Sequence, residues 1–413
     1  LAVVAWLRDH GGSGAVAPLI QVLRFQRADR LPIVAALKKL TGADPGETWF
    51  DWMLWQEAHP EIRPYDGFTG FVAEMLSLID PQFGRFLRAG VKHEIRVEEI
   101  TWGGVAVDGI PALDRPRMTS VGDAAYLNDD DPVFGVEING DARAYPRRIL
   151  AWHEMFNDVV GGVPVSLAYC TLCGAAILFD GRVPGRAEAF TFGSSGLLYR
   201  SNKLMYDRQT DSLWNQFTGR PVVGPLTGSG IELKILPIVI ASWAEWRQRN
   251  PETRVLSIDT GFQRDYGSGV AYREYFASPD LMFPAAVKDG RLAAKDQVFG
   301  IRAPGGTKAW PLSAFAGGKV INDKVGLLDI VLVGDGADHG VRAYEARGRH
   351  FEAGSDADTL RATDGVLWRI TEAELVSPDG ASLPRLPGHV AYWFAWSGYL
   401  ENATLFEALP AAE

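Results

Sequence analysis

The chain has 413 residues, with 41 Lys and Arg against 51 Asp and Glu, a formal net charge of −10. That balance gives no reason to expect a basic face, so nucleic acid is not an expected partner. With 47% hydrophobic and 22% charged residues, it reads as a packed globular protein rather than a disordered chain or a membrane bundle.

At roughly 100–200 residues per domain, the length suggests two to four units. Residue 1 is Leu rather than Met, so a processed or truncated chain is expected, with any targeting or membrane-anchoring segment lying before it. No run of about 18 or more uncharged apolar residues occurs, so no membrane-spanning helix is predicted.

Residues 1–90 read as helical. Leu1–Leu7, Ala17–Phe25 and Leu31–Leu40 carry apolar residues at three- and four-residue spacing, with Gly- or Asp-containing breaks between them. Ala28–Gly42 and Thr48–Glu57 look like a helical repeat of the HEAT type, a surface suited to a protein partner. The segment Trp49-Phe50-Asp51-Trp52-Met53-Leu54-Trp55 lacks a Lys/Arg-rich polar face, so it is read as a helix burying aromatics rather than as a membrane belt. A further helical stretch is predicted over Gly67–Ala89.

From about residue 91 short alternating runs are bounded by Gly, Pro and Asp, and the chain repeats itself. Val133-Phe134-Gly135-Val136 recurs as Val298-Phe299-Gly300-Ile301, Ala144-Tyr145-Pro146 as Ala309-Trp310-Pro311, and Asn157-Asp158 as Asn322-Asp323, all at an offset of 165. Leu213-Trp214 matches Leu367-Trp368 at 154, and Leu236-Pro237 with Trp243 and Trp246 matches Leu386-Pro387 with Trp393 and Trp396 at 150. Residues 125–250 and 290–400 are therefore read as two copies of one unit, joined by a segment carrying Tyr266, Tyr272, Tyr275 and Phe276.

Within the first copy a strand at Val133–Ile138 meets the hairpin signal Asn139-Gly140 and returns through Ala142–Tyr145. Pro146 opens a helix over Arg147–Phe156. Pro164–Cys170 and Ala175–Asp180 are strands, followed by Ala187–Phe192 and a Gly/Ser turn at Gly193–Gly196. The expected fold is α+β: an N-terminal α-helical domain (1–90), then a mostly β body of two tandem copies, 91–265 with the cysteine pair and 266–413 degenerate.

The two cysteines sit together as Cys170-Thr171-Leu172-Cys173-Gly174 between two predicted strands. Two cysteines make neither a disulfide-dense scaffold nor a four-thiolate zinc site. A Cys-x-x-Cys-Gly turn is a metal-binding knuckle by its physics, because both thiolates point to one side and Gly closes the loop. A thioredoxin-type dithiol needs the pair at a helix N-terminus, whereas Ala175–Phe179 reads as a strand. His153, on the helix before, completes a candidate Cys2His site for copper or zinc with an open fourth position, and Glu154 is a candidate ligand-orienting group or base. The alternatives are a disulfide or structural knuckle for the cysteines and a core histidine satisfied by a carbonyl for His153.

Zinc deaminases combine His-x-Glu with Pro-Cys-x-x-Cys; here Glu154 adjoins His153 and no Pro precedes Cys170. Gly193-Ser194-Ser195-Gly196 is not a nucleophile elbow, and no dinucleotide fingerprint or Walker loop occurs. Tyr206, Asp207 and Arg208 form a candidate proton-relay or anion-binding group, the alternative being an Asp–Arg pair that fixes a turn. The 165 offset puts Gly318 at His153, Asp335 at Cys170 and Asp338 at Cys173, so the second copy lacks every candidate ligand.

The stretches Ala144–Glu154, Tyr169–Gly174 and Leu204–Trp214 resemble the bacterial domain-of-unknown-function family numbered three-one-seven-nine. The resemblance spans roughly residues 95–400 and leaves the helical first 90 residues outside. It implies an exported protein, periplasmic or at the cell surface, and names no reaction. The expected function is thus transition-metal binding, extending to a metal-dependent oxidoreductase, with a non-catalytic binding or assembly subunit as the alternative.

Overall fold

A computed structural model describes residues 2–26, 28–336, 340–400 and 402–407. The chain forms two compact units. Residues 1–111, 192–232 and 280–288 make the first; residues 112–191, 233–279 and 289–413 make the second.

In the first unit, helices Val16–Phe25, Arg30–Thr41 and Trp49–Ala58 surround a core of Leu19, Ile20, Leu23, Ile33, Leu37 and Trp52. Thr48 and Asp51 cap the last of these reciprocally, each side chain accepting from the other's backbone N–H, which explains why so aromatic a segment starts a helix at Trp49. The stretch predicted helical over 67–89 divides into helix Phe68–Ser77 and a 3-10 turn Pro81–Arg85, because Asp80 and Pro81 start a new turn. A five-stranded antiparallel sheet follows, with Phe192–Tyr199 and Asn202–Asp207 at its centre. Here the predicted Gly193–Gly196 turn is strand instead. A side chain at Gly193 would lie 2.6 Å from Asp108 and from the Tyr206 ring, and one at Gly196 2.6 Å from the Val105 carbonyl, so these glycines serve close approach within a strand.

The second unit holds the duplication. Strands Pro132–Ile138 and Asp141–Pro146 pair with Val133 opposite Pro146; Gln297–Ala303 and Gly306–Pro311 pair with Val298 opposite Pro311. Asn157 faces Ser166 as Asn322 faces Val331, and Ser166 faces Phe179 as Val331 faces Tyr344. Every one of these partners keeps the offset of 165. On the outer edge Val239 pairs with Gly135 as His389 pairs with Gly300, now at 150 for the edge strand. Val255 lies parallel to Ala144 as Leu405 does to Ala309.

Two contacts show why the repeated residues recur. The indoles of Trp246 and Trp396 lie where side chains at Gly135 and Gly300 would project, 2.2 Å from the Cβ positions in both copies. Asp158 accepts from Arg143 at 2.6 Å and from the Tyr145 hydroxyl at 2.7 Å, while Asp323 accepts from Lys308 and from Trp310 Nε1, each at 2.8 Å. The same carboxylate binds a cation and an aromatic donor in both copies, although the donors differ.

One correction concerns the element leading to the cysteines. The helix stops at His153 rather than Phe156, and Met155–Val160 is a strand paired to Val163–Cys170. Glu154 ends the helix with a left-handed backbone (φ 55°).

Helix Trp243–Arg249 also carries Glu245 into a buried ion network in which Arg342 pairs with Glu245 at 3.0 Å and with Glu372 at 2.6 Å, and Arg385 also pairs with Glu372. Burial alone would raise the Glu372 pKa, but Arg342 and then Arg385 overcome it and hold it at about 2. A carboxyl depressed in the folded state stabilises fully above its ordinary value near 4.5 and loses that contribution as pH falls toward 2.

Alanine at Gly135 or Gly300 is expected to destabilise the chain by about 1–3 kcal/mol in either copy through overpacking, read from urea unfolding. Glu372→Gln is expected to cost about 3–5 kcal/mol at pH 7. Its deficit relative to wild type shrinks on the order of 3 kcal/mol as pH falls through the window above, checked by urea midpoints at several pH values.

Candidate functional site

Strands Val163–Cys170 and Ala175–Asp180 run antiparallel with Cys170 opposite Ala175, so residues 171–174 form a tight connection between them. The Cys173 N–H donates to the Cys170 carbonyl at 3.2 Å. Gly174 has φ 57°, and a side chain there would lie 3.1 Å from the Tyr392 ring. Both cysteines are buried and are not bridged to each other.

Three residues of the turn, Thr171, Leu172 and Cys173, are held from outside it. The Thr171 hydroxyl donates to Glu154 Oε1 at 2.9 Å, and Tyr272 donates to the same oxygen at 3.2 Å. The Tyr275 hydroxyl donates to the Leu172 carbonyl at 2.5 Å. The Tyr392 N–H donates to the Cys173 carbonyl at 2.8 Å. The backbone of Glu154 is fixed as well, its carbonyl accepting from the Tyr169 N–H at 2.7 Å. Glu154 is only 6% exposed. A non-glycine residue with positive φ costs of order 1–3 kcal/mol, and here it delivers a carboxylate to Thr171, the first of the two residues between the cysteines.

The phenols around the turn stay protonated. Tyr275 is pushed above its ordinary value by burial and then by Cys173 and Cys170, and Tyr272 by Glu154 first and burial second. Burial raises Tyr169 and Tyr392 too. Lys295 sits 3.7 Å from the Tyr275 ring centroid and donates to the carbonyls of Tyr275 and Ser278.

His153 is fully buried, and its Nε2 lies 2.6 Å from the Tyr266 hydroxyl, which in turn meets Thr260 Oγ1 at 2.6 Å. Among the described residues, no group of three or more His, Cys, Asp and Glu side chains is placed to hold a metal ion. The set His153, Cys170 and Cys173 is therefore not assembled as three ligands, and the cysteine pair stands with Glu154 as its neighbour through Thr171.

Tyr206, Asp207 and Arg208 belong to the first unit. The Tyr206 hydroxyl donates to Asp108 at 2.5 Å. Asp207 is buried and accepts from Thr210 N, Thr210 Oγ1, Ser212 N and Trp214 Nε1, so it organises the turn into the next strand. Arg208 is exposed. In the second copy, Gly318 directly precedes a strand and Asp335 directly follows one, whereas in the first copy His153 ends a helix and Cys170 is the last residue of its strand; Asp338 lies outside the described residues.

Residues 107–403 match the family described as protein of unknown function (DUF3179). The chain belongs to this family. The match takes in the cysteine turn, Glu154 and all four tyrosines, and it begins after the N-terminal helices. Neither a curated protein nor a solved structure matches the chain.

The residues that sequence reasoning missed as site components are Thr171, Tyr169 and Tyr392. Tyr272 and Tyr275 stood out only as a cluster in the joining segment. Gly174→Ala is expected to destabilise by about 1–3 kcal/mol, from the positive φ and the approach to Tyr392 together. Thermal unfolding of the variant checks this, with a near-ultraviolet tyrosine signal as the local probe.

Proposed function

We propose that the Cys170–Cys173 turn binds one soft transition-metal ion, copper ahead of zinc, and that this binding is the function of the DUF3179 body. The observation that supports it is the clamping of the turn: Thr171, Leu172 and Cys173 are fixed by Glu154, Tyr275 and Tyr392 respectively. Such outer contacts fix the direction of ligating side chains. Two buried sulfurs carried on a rigid turn suit a soft ion, and thiolates select monovalent copper, for which a pair of sulfurs is a complete set. Zinc asks for a tetrahedral set, and the Nε2 of His153 is already engaged by the Tyr266 hydroxyl.

Cys170 and Cys173 would hold the ion, Glu154 would orient Thr171 beneath it, and the protonated phenols would offer O–H donors and exclude water. A copper ion there supplies one-electron chemistry, which is the route to an oxidoreductase; a zinc ion supplies Lewis acidity. A periplasmic or cell-surface setting, implied by the family resemblance, is part of the same proposal.

Metal analysis of the purified chain, prepared under reducing conditions, tests the reading. One ion per chain is expected in wild type, lost in Cys170→Ser and in Cys173→Ser and kept in His153→Ala. Loss in His153→Ala would instead bring the histidine into the ligand set. An absent metal there, with a gain of about 2 Da on reduction of a parallel preparation made without reductant, would sink the proposal in favour of a structural disulfide.

A further inference from the structure

Arg24 lies in the last turn of helix Val16–Phe25, in the helical part of the chain that precedes the family match. Its guanidinium carbon is 4.5 Å from the Trp49 ring centroid, 5.6 Å from those of Trp102 and Phe283, and 5.8 Å from that of Phe25. Four aromatic rings thus surround one cation. No carboxylate pairs with it among the described residues, and its Nη1 is shut off from water with no acceptor. Trp49 Nε1 is in the same condition.

Ring faces replace part of the hydration that a half-buried guanidinium loses, but they do not accept its in-plane N–H groups. Buried donors are almost always satisfied, and leaving them bare is costly. Burial lowers the Arg24 pKa to about 10, which still leaves it charged at neutral pH. A cation and two N–H donors without acceptors thus lie on two side chains that contact each other.

We propose that Arg24 and Trp49 are the recognition elements of a carboxylate-binding site in the helical part of the chain. A carboxylate is planar, carries a single charge to neutralise one guanidinium, and offers two oxygens to bridge the two donors. The negative ring faces admit such a group only edge-on, between the N–H groups. A phosphate carries more charge and more tightly held water into the same apolar walls, so it is disfavoured. Phe25, whose ring lies 5.8 Å from the guanidinium carbon and is 37% exposed, is the proposed side of entry. The carboxylate comes either from a small organic acid or from the chain terminus of a protein partner.

The test uses the full chain labelled with 15N at the indoles, the Trp49 signal being assigned by its absence in Trp49→Phe. Acetate, tetra-alanine with a free C terminus, amidated tetra-alanine and inorganic phosphate are titrated in turn. A saturable shift of the Trp49 N–H is expected with the free carboxylates and not with the amide or with phosphate. Binding is expected to weaken at least tenfold in Arg24→Met and, as a milder variant that keeps the charge, in Arg24→Lys. Tighter binding of tetra-alanine than of acetate assigns the source to a chain terminus; equal or weaker binding assigns it to a small acid. No Trp49 shift with either free carboxylate, a shift with phosphate alone, or an unchanged shift in a folded Arg24 variant overturns the proposal.

Discussion

The seating of one indole against one glycine governs the second unit. Trp246 occupies the space that any side chain at Gly135 would need, which locks helix Trp243–Arg249 onto the strand Pro132–Ile138. That strand pairs with Asp141–Pro146, from which Arg143 and Tyr145 reach Asp158 on the strand Met155–Val160. The latter pairs with Val163–Cys170, which ends at the first cysteine. The position of the turn is thus inherited through a run of contacts in which each element is fixed by the one before, and the run begins at a glycine with no room to spare. Close-packed interiors transmit such constraints because they have no slack to absorb them.

The second copy separates what the fold needs from what it does not. It repeats the glycine–tryptophan contact and rebuilds the aspartate hub with Lys308 and Trp310 in place of Arg143 and Tyr145. At the same offset it places Gly318 for His153, Gly334 for Tyr169 and Asp335 for Cys170. The scaffold therefore tolerates loss of a histidine, a tyrosine and a cysteine at these positions. Their presence in the first copy is not a requirement of the repeated strand framework, which is consistent with the metal-binding role proposed for the turn.

The helical start, the mostly β body and the duplication were legible because they rest on periodicity and on residues whose roles are steric: glycine under tryptophan, proline at a helix start, aspartate between two donors. The cysteine turn was legible because its glycine and its flanking strands are local. What sequence could not show was longer in range. The early end of the helix depends on Glu154 adopting a left-handed backbone, which an apolar run through Phe156 conceals. Gly193 and Gly196 carry turn chemistry yet lie in a strand, because Asp108, Tyr206 and Val105 approach them from elsewhere in the chain. The pairing of His153 with Tyr266 spans 113 residues, and no spacing rule predicts it.

The same range of contact ties the second copy to the turn of the first. The cysteine turn is not closed by its own copy: Tyr272 and Tyr275 come from the joining segment, and Tyr392 comes from the edge strand of the second copy. Tyr392 stands at the position that Ser242 holds in the first copy, where the serine merely caps a helix by accepting from Glu245 N. In the second copy the backbone of that position instead donates to the Cys173 carbonyl, and its ring covers Gly174. Having lost its own candidate ligands, the second copy supplies the wall of the first copy's site. A single copy would leave the Cys173 carbonyl and the face of Gly174 open to water, so the duplication is what makes a buried thiol pair on a tight turn attainable in this fold.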